Sequence, residues 1–171
     1  MELGDVGAYV RMRCDPAMMA DLGGPLPQEG MPAKVEQDVA EAESGRAWIL
    51  MIVPDETDAA SVAGSVVVWS NVDHAEPFSE IGWMVLPEFQ GRGLGKAAVR
   101  TVLERARDED RWGVVHAFPA VTNAPSNGIC RALGFTLVGE QDVAFADRLL
   151  RSNHWQINPR TDLPRTGDGL L

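Results

Sequence analysis

Residues 80–96 constrain this chain more than any other segment, because a glycine-rich loop there joins an apolar stretch to an amphipathic one. The apolar stretch, residues 80–86, predicts a strand that ends before Pro87. Apolar residues at steps of three and four predict a helix from Leu94 to about residue 107. Backbone without side chains lets several N–H groups converge at the positive end of a helix dipole, which favours a pyrophosphate. The loop between strand and helix places glycine at every second position, Gly91, Gly93 and Gly95.

The spacing of this loop does not match two common nucleotide motifs. A P-loop needs Gly-Lys-Ser/Thr at its end, but Lys96 is followed by Ala97. A dinucleotide fingerprint needs Gly-x-Gly-x-x-Gly early in a βαβ unit, whereas this loop reads Gly-x-Gly-x-Gly in mid-chain. The alternative is a glycine-rich turn that binds no ligand. The pattern that fits is Gln/Arg-x-x-Gly-x-Gly/Ala, which resembles the coenzyme A pyrophosphate loop of the GNAT superfamily of N-acetyltransferases; the matching residues are Gln90, Gly91, Arg92, Gly93, Leu94 and Gly95.

A second segment, residues 123–135, resembles another motif of the same family. An Asn precedes a short helix that ends at Gly-Phe eleven residues later, here Asn123 and Gly134-Phe135. Asn123 or Ser126 can cap that helix, and Gly134 suits a left-handed C-terminal cap. With flanking strands, the resemblance covers about residues 45–157. It is nearest to the subgroup that resembles ribosomal-protein N-terminal acetyltransferases.

The resemblance implies how acetyl-CoA would be held. The amides of residues 91–96 would bind the pyrophosphate, with charge added by Arg92 and Lys96. The amide of Asn123 would bind the pantetheine arm, with Ser126 beside it. The exposed backbone of the strand before the loop, at Met84 and Val85, would hold pantetheine and polarise the thioester carbonyl. Arg92 and Lys96 could equally be solvated surface residues, and Asn123 could act as a helix cap alone.

The order of predicted elements gives an α/β (α+β) fold, which the resemblance specifies as a mixed, mostly antiparallel sheet flanked by helices. We predict one domain over residues 1–157 and a loose tail over residues 158–171, which is rich in Pro, Gly and Asp. The subgroup begins with a strand, but only residues 1–3 precede the first predicted helix, residues 6–13. Either the sheet lacks its first strand or the N-terminus is shortened. A missing strand would leave an edge that the tail or a second copy in a homodimer could cover.

Composition narrows the function classes. A chain of 171 residues with 45% hydrophobic residues suits one globular domain. No apolar run approaches the roughly 20 residues of a membrane span, and no Cys/His cluster has zinc spacing. Two cysteines and an acidic N-terminus predict a cytoplasmic protein. The net charge of −10 argues against nucleic-acid binding and favours a cationic acceptor such as an amine, unless it serves solubility alone.

Proton transfer is where the chain departs from the family. Many GNAT enzymes place a Tyr, the acid for the departing thiolate, seven residues after the motif Asn, and Cys130 stands there. A thiol with a pKa of about 8.5 could donate a proton, but Cys is also a common core residue. The only tyrosine, Tyr9, does not match the motif. Ser126 or water could replace Cys130.

Two residues are candidates for the base that removes the ammonium proton. His116 lies on a predicted strand beside the site and titrates near neutral pH. Glu80 begins the strand that would carry the thioester. Either could be structural instead. The loop carboxylates Asp73 and Glu76, with His74, are further candidates.

These observations predict an acetyl-CoA-dependent N-acetyltransferase that acts directly on a primary amine of a small molecule or a protein N-terminus, with no metal. The alternative is a non-catalytic acyl-CoA-binding module that keeps the cradle and has lost its proton-transfer groups. The Cys at the Tyr position makes that alternative a real one.

Overall fold

The computed structural model describes residues 1–55, 57, 61–71, 77–145 and 148–164. The described residues form four α-helices and six strands, joined by loops and short 3-10 helices. In chain order they are α1 (Val6–Arg13), α2 (Met31–Glu43), β1 (Ala47–Ile52), β2 (Gly64–Asn71), β3 (Phe78–Val85), α3 (Leu94–Asp108), β4 (Val115–Ala117), α4 (Ala124–Leu133), β5 (Thr136–Phe145) and β6 (Arg148–Ile157).

The six strands form one mixed sheet in the order β1-β2-β3-β4-β6-β5. Only the β3–β4 pair is parallel, and the other neighbours are antiparallel. This confirms the predicted fold class. The described residues 1–46 contain helices and no strand, so β1 lies at the edge of the sheet.

Helices cover both faces of the sheet. The larger core lies between one face and helices α3 and α4, and it includes Val66, Ile81, Leu103 and Leu133. A smaller core packs α1 and α2 against the other face around Tyr9, Met12 and Val35. Alternation along the strands explains this division, because successive side chains point to opposite faces. No helix in the described residues is long and apolar enough to cross a bilayer.

The predictions for the C-terminal third fell short. The sequence pattern indicates a strand over residues 135–139 and the end of the ordered core at residues 154–157, but β5 and β6 each span ten residues and form a long antiparallel hairpin. Charged residues hid the strand pattern, and in the structure they pair across the hairpin: Arg151 contacts Glu140 at 3.2 Å and Asp142 at 3.4 Å.

The predicted loose tail is packed over its first half. Leu163 is buried in the larger core, and the carbonyl of Pro164 accepts a hydrogen bond from Arg100 (3.0 Å). A single leucine among residues 160–164 is too weak a signal to distinguish an anchored segment from a loop. Residues 165–171 of that tail lie outside the described residues.

Gly64 sets how closely β2 approaches the strand that leads into the glycine loop. A Cβ at Gly64 would lie 2.0 Å from the backbone carbonyl oxygen of Met84, so this position requires glycine. A Cβ at Gly82 on the neighbouring strand would meet the Trp69 ring at 3.6 Å, an ordinary contact.

We predict that Gly64→Ala lowers the free energy of unfolding by about 1–3 kcal/mol, because backbone must move to admit the methyl group. Gly82→Ala is the matched control and should stay within about 1 kcal/mol of wild type. Urea unfolding followed by far-UV circular dichroism measures both. Equal stabilities of the two variants would contradict the close approach.

Candidate active site

The centre of the site is the point where β3 and β4 part. These strands pair only through Ser79 with Val115 and Glu80 with His116. Beyond Glu80, β3 remains paired with β2 as far as Val85. The chain after β4 instead follows β6, through backbone contacts of Pro119 with Asn153, Ala120 with Ser152 and Val121 with Arg151. A wedge-shaped groove therefore opens between the carboxyl ends of β3 and β4.

The N–H and C=O groups of successive residues along β3 point to opposite sides of the strand. This alternation determines which of them face the groove. The N–H of Leu86 donates to the carbonyl of Ala63, the residue before β2 (2.8 Å). Hydrogen-bonded pairs recur at every second residue of an antiparallel ladder. Met84 therefore pairs with Ser65, its partner in register. The backbone groups of Trp83 and Val85 face the groove instead. The sequence assigned this role to Met84 and Val85; Val85 fits the geometry, whereas Met84 is turned toward β2.

The glycine loop has backbone geometry that other residues adopt poorly. Gly91 and Gly93 have φ values of 73° and 76°, in the left-handed region. Gly95 is needed for another reason, because a Cβ there would lie 3.0 Å from the Val85 side chain. Gly93 is the N-cap of α3 and provides no side-chain cap. The first N–H groups of α3, at Leu94 and beyond, therefore remain directed at whatever lies in the loop.

Side chains around the loop fix its position or add positive charge. Gln90 donates from Nε2 to the carbonyl of Val85 (2.8 Å), which ties the loop to the end of β3. Because the Val85 carbonyl is occupied, the N–H is the backbone group of Val85 that remains for a ligand in the groove. The Arg92 guanidinium lies 5.5 Å from the centre of the Phe89 ring, and both Arg92 and Lys96 are exposed.

Asn123 lies across the groove, at the N-terminus of α4. Its Oδ1 accepts a hydrogen bond from the N–H of Ser126 (3.0 Å), which confirms the predicted helix cap. The cap occupies only Oδ1, so Nδ2 stays available for a ligand. Both Asn123 and Ser126 are half-buried at this position.

Asn127 is a buried residue whose role the sequence analysis missed. Its Nδ2 donates to the carbonyls of Ala120 (2.9 Å) and Asn123 (2.8 Å). Its Oδ1 accepts from Asn153 (2.7 Å) and from the Trp155 indole (2.9 Å). These four bonds join the β4–α4 loop to β6 and so hold one wall of the groove. An Asn on the apolar face of a predicted helix was the available signal.

Glu80 is the carboxylate at the junction of the two strands. It is half-buried, and its Oε2 accepts a hydrogen bond from Asn71 Nδ2 (3.3 Å). Burial raises the pKa of Glu80 to about 7, although the Asn71 contact opposes that shift. This carboxyl group therefore exchanges protons in the neutral pH range.

His116 is the register partner of Glu80, so the structure brings the two candidate bases together. Partners in register point to the same face of a sheet. His116 Nδ1 lies 2.7 Å from Nε2 of His154 on β6. Burial lowers the pKa of both histidines, and the charge of His154 lowers that of His116 further.

Cys130 is not brought to the groove. It is fully buried in the larger core, and burial raises the pKa of its thiol to about 12. The side chain is much shorter than the Tyr of the family motif and ends within the core. Tyr9 is also committed elsewhere, since its hydroxyl donates to the buried Asp38 (2.7 Å). The further candidates Asp73, His74 and Glu76 lie outside the described residues.

Comparisons with known proteins agree with this geometry. The acetyltransferase (GNAT) domain family matches residues 1–136. Ribosomal-protein-alanine N-acetyltransferase from Brucella melitensis is 19% identical, with a TM-score of 0.73 over 92% of this chain and 96% of that one. Mycobacterium smegmatis RimJ in complex with CoA-disulfide is 19% identical, with a TM-score of 0.73 over 92% and 79%. A chimera of spermidine N-acetyltransferase from Vibrio cholerae and hSSAT is 18% identical, with a TM-score of 0.72 over 93% and 92%.

The loop geometry gives a matched test of anion binding at Gly93. Asn and Asp both tolerate a left-handed conformation and both cap helices, so Gly93→Asn and Gly93→Asp should fold. The Asp variant alone adds negative charge where the pyrophosphate is expected. We predict that it binds coenzyme A at least about 10-fold more weakly than the Asn variant, given the strength of Coulomb repulsion near a surface. Isothermal titration calorimetry measures the difference, and equal dissociation constants would place the pyrophosphate elsewhere.

Proposed function

Since this chain belongs to the acetyltransferase (GNAT) family, we propose that it transfers the acetyl group of acetyl-CoA directly to a primary amine. The observation that carries this proposal is the groove between β3 and β4, with Glu80 at its closed end and the glycine loop at its open end. Structural neighbours named for a ribosomal protein and for spermidine support an amine as the acceptor.

The described residues fit acetyl-CoA along the whole groove. The amides of residues 91–96 would bind the pyrophosphate, and Arg92 and Lys96 would add positive charge. Nδ2 of Asn123 would bind the pantetheine arm. The N–H of Val85 would donate to the thioester carbonyl and stabilise the oxyanion that forms on attack. An acceptor would approach from the face of the sheet that carries Glu80.

Glu80 is the residue that we assign as the general base. With a pKa of about 7, its carboxylate is present at neutral pH and is basic enough to take a proton from an ammonium group. The neutral amine then attacks the thioester carbon, and the C–S bond breaks as the tetrahedral intermediate collapses. The proton that the nitrogen still holds passes through water or Ser126 to the departing thiolate, because the Cys130 thiol is enclosed in the core. The products are then the neutral amide and the free thiol of coenzyme A.

A panel of amines tests the function. Purified protein at fixed acetyl-CoA is offered spermidine, small monoamines and peptides with free N-termini, and release of free thiol is followed. Amine-dependent release together with the acetylated product supports an acetyltransferase. Binding of acetyl-CoA without transfer to any amine would support the non-catalytic acyl-CoA-binding module instead.

We predict that kcat/KM for the best amine rises as pH passes through about 7, because the Glu80 carboxylate forms there. Glu80→Gln should lower kcat by about 100-fold or more and remove that rise, while binding of acetyl-CoA persists. Cys130→Ala is the control and should keep kcat within threefold, because its thiol does not reach the groove. A Glu80→Gln enzyme that retains the wild-type pH profile would remove Glu80 from the mechanism.

The same carboxyl gives a readout that does not depend on activity. Because folding raises the pKa of Glu80, the folded state binds a proton more tightly than the unfolded state, and stability falls as pH rises from about 4.3 to about 7. Glu80→Gln removes this penalty. The variant should therefore gain stability relative to wild type on going from pH 5 to pH 8, as measured by thermal unfolding.

A further inference from the structure

His154 has no assigned role in the transfer described above, although its ring contacts the neighbour of the base. Its Nε2 lies 2.7 Å from Nδ1 of His116, with ring centres 5.0 Å apart. At that distance one nitrogen donates its proton and the other accepts. The two neutral rings therefore hold the same tautomer: both carry the proton on Nδ1 or both carry it on Nε2. When His116 carries its proton on Nδ1, Nε2 of both rings is unprotonated.

Aromatic rings hold this histidine pair in place. Phe78 packs edge-on against His116 with ring centres 5.1 Å apart, and Phe118 stacks on His154 at 4.7 Å. Burial among these rings favours the neutral form of both histidines. The resting pair is therefore uncharged near pH 7 and can take up one proton.

In the described part of the sheet, one charged residue is a register neighbour of the histidine pair. By register, the pair's neighbours on the same face are Glu80 on β3 and the uncharged Gln156 on β6. Among these residues, Glu80 is thus the group that can exchange a proton with the pair.

We propose that His116 and His154 relay the proton released by acetyl transfer from Glu80 to solvent. This inference rests on the proposed function. An ammonium acceptor loses two protons for each amide formed, of which one protonates the thiolate and the other is released. Glu80 and His116 are register partners on neighbouring strands, whose backbones lie about 4.8 Å apart, and the relay places one water molecule between their side chains.

The relay moves one proton from the acceptor to water. The ammonium proton moves to the Glu80 carboxylate and then to Nε2 of His116. The proton on Nδ1 of His116 passes to Nε2 of His154, and the proton on Nδ1 of His154 leaves to water. Both rings then carry a proton on Nε2. Because both rings are half-exposed, exchange of their outer protons with water restores the first tautomers.

The decisive variant is His154→Gln, which can keep a hydrogen bond to His116 but cannot carry a proton onward. We expect kcat to fall about 10-fold or more, within the range of general acid–base effects, while KM for acetyl-CoA is unchanged. Added imidazole should restore part of kcat in His154→Ala. Rescue of this kind separates proton transfer from a structural role.

Nitrogen NMR of the wild-type protein provides a second measurement that needs no activity. The chain has three histidines, and His74→Gln identifies the signals of the other two. We expect His116 and His154 to show the same tautomer and to take up protons in two separated steps, as coupled groups do. In His154→Gln, the pKa of His116 should rise because the neighbouring charge is gone.

Two results would overturn the relay. Independent titration of the two rings in the wild-type protein would show that they do not share a proton. A folded His154→Gln enzyme with kcat within twofold of wild type, and no response to imidazole in His154→Ala, would show that the pair carries no proton during turnover. If the relay fails in this second way but Glu80→Gln still lowers kcat, the proposed function stands. If no amine in the panel is acetylated, the proposed function itself is wrong.

Discussion

The parting of β3 and β4 immediately after the Glu80–His116 pair is the constraint on which the rest of the structure depends. The sheet consists of two blocks, β1-β2-β3 and β4-β6-β5, which are joined by only two residue pairs. Each block contains one of the two parting strands. β3 remains hydrogen-bonded to β2 as far as Val85, and the chain after β4 is hydrogen-bonded to β6. The hydrogen bonds of Asn127 fix that second direction. The groove is therefore built by competition between two sets of backbone hydrogen bonds.

The same junction also determines the chemistry. The N–H of Val85, which would otherwise pair with another strand, is left facing the groove, where it can bind a ligand. Glu80 lies at the last paired position, close enough to the core for burial to raise its pKa to about 7. One structural feature thus provides a binding surface and a carboxylate that titrates near neutrality. The histidine pair extends from this junction toward β6.

Much of the fold could be predicted because its signals are local. The alternating glycines define a loop between strand and helix, and Asn123 with Gly134 brackets α4 as expected. The length of the β5–β6 hairpin was underestimated because its charged residues form ion pairs across the two strands. Hydrophobic periodicity along one strand does not detect such pairs. The candidate site residues likewise fall into those that local spacing predicts and those that depend on distant strands. Loop residues follow from spacing, whereas the turning of Met84 away from the groove, the burial of Cys130 and the contact of His116 with His154 depend on register between distant strands.

Amide chemical shifts during a titration with coenzyme A test the central claim most directly, namely that the ligand lies in the groove between β3 and β4. The account predicts that the largest changes fall on the N–H groups of Val85 and residues 93–96, with little change at the outer strand β1. Saturating coenzyme A that leaves the amides of Val85 and the glycine loop unmoved, while shifting others, would contradict it.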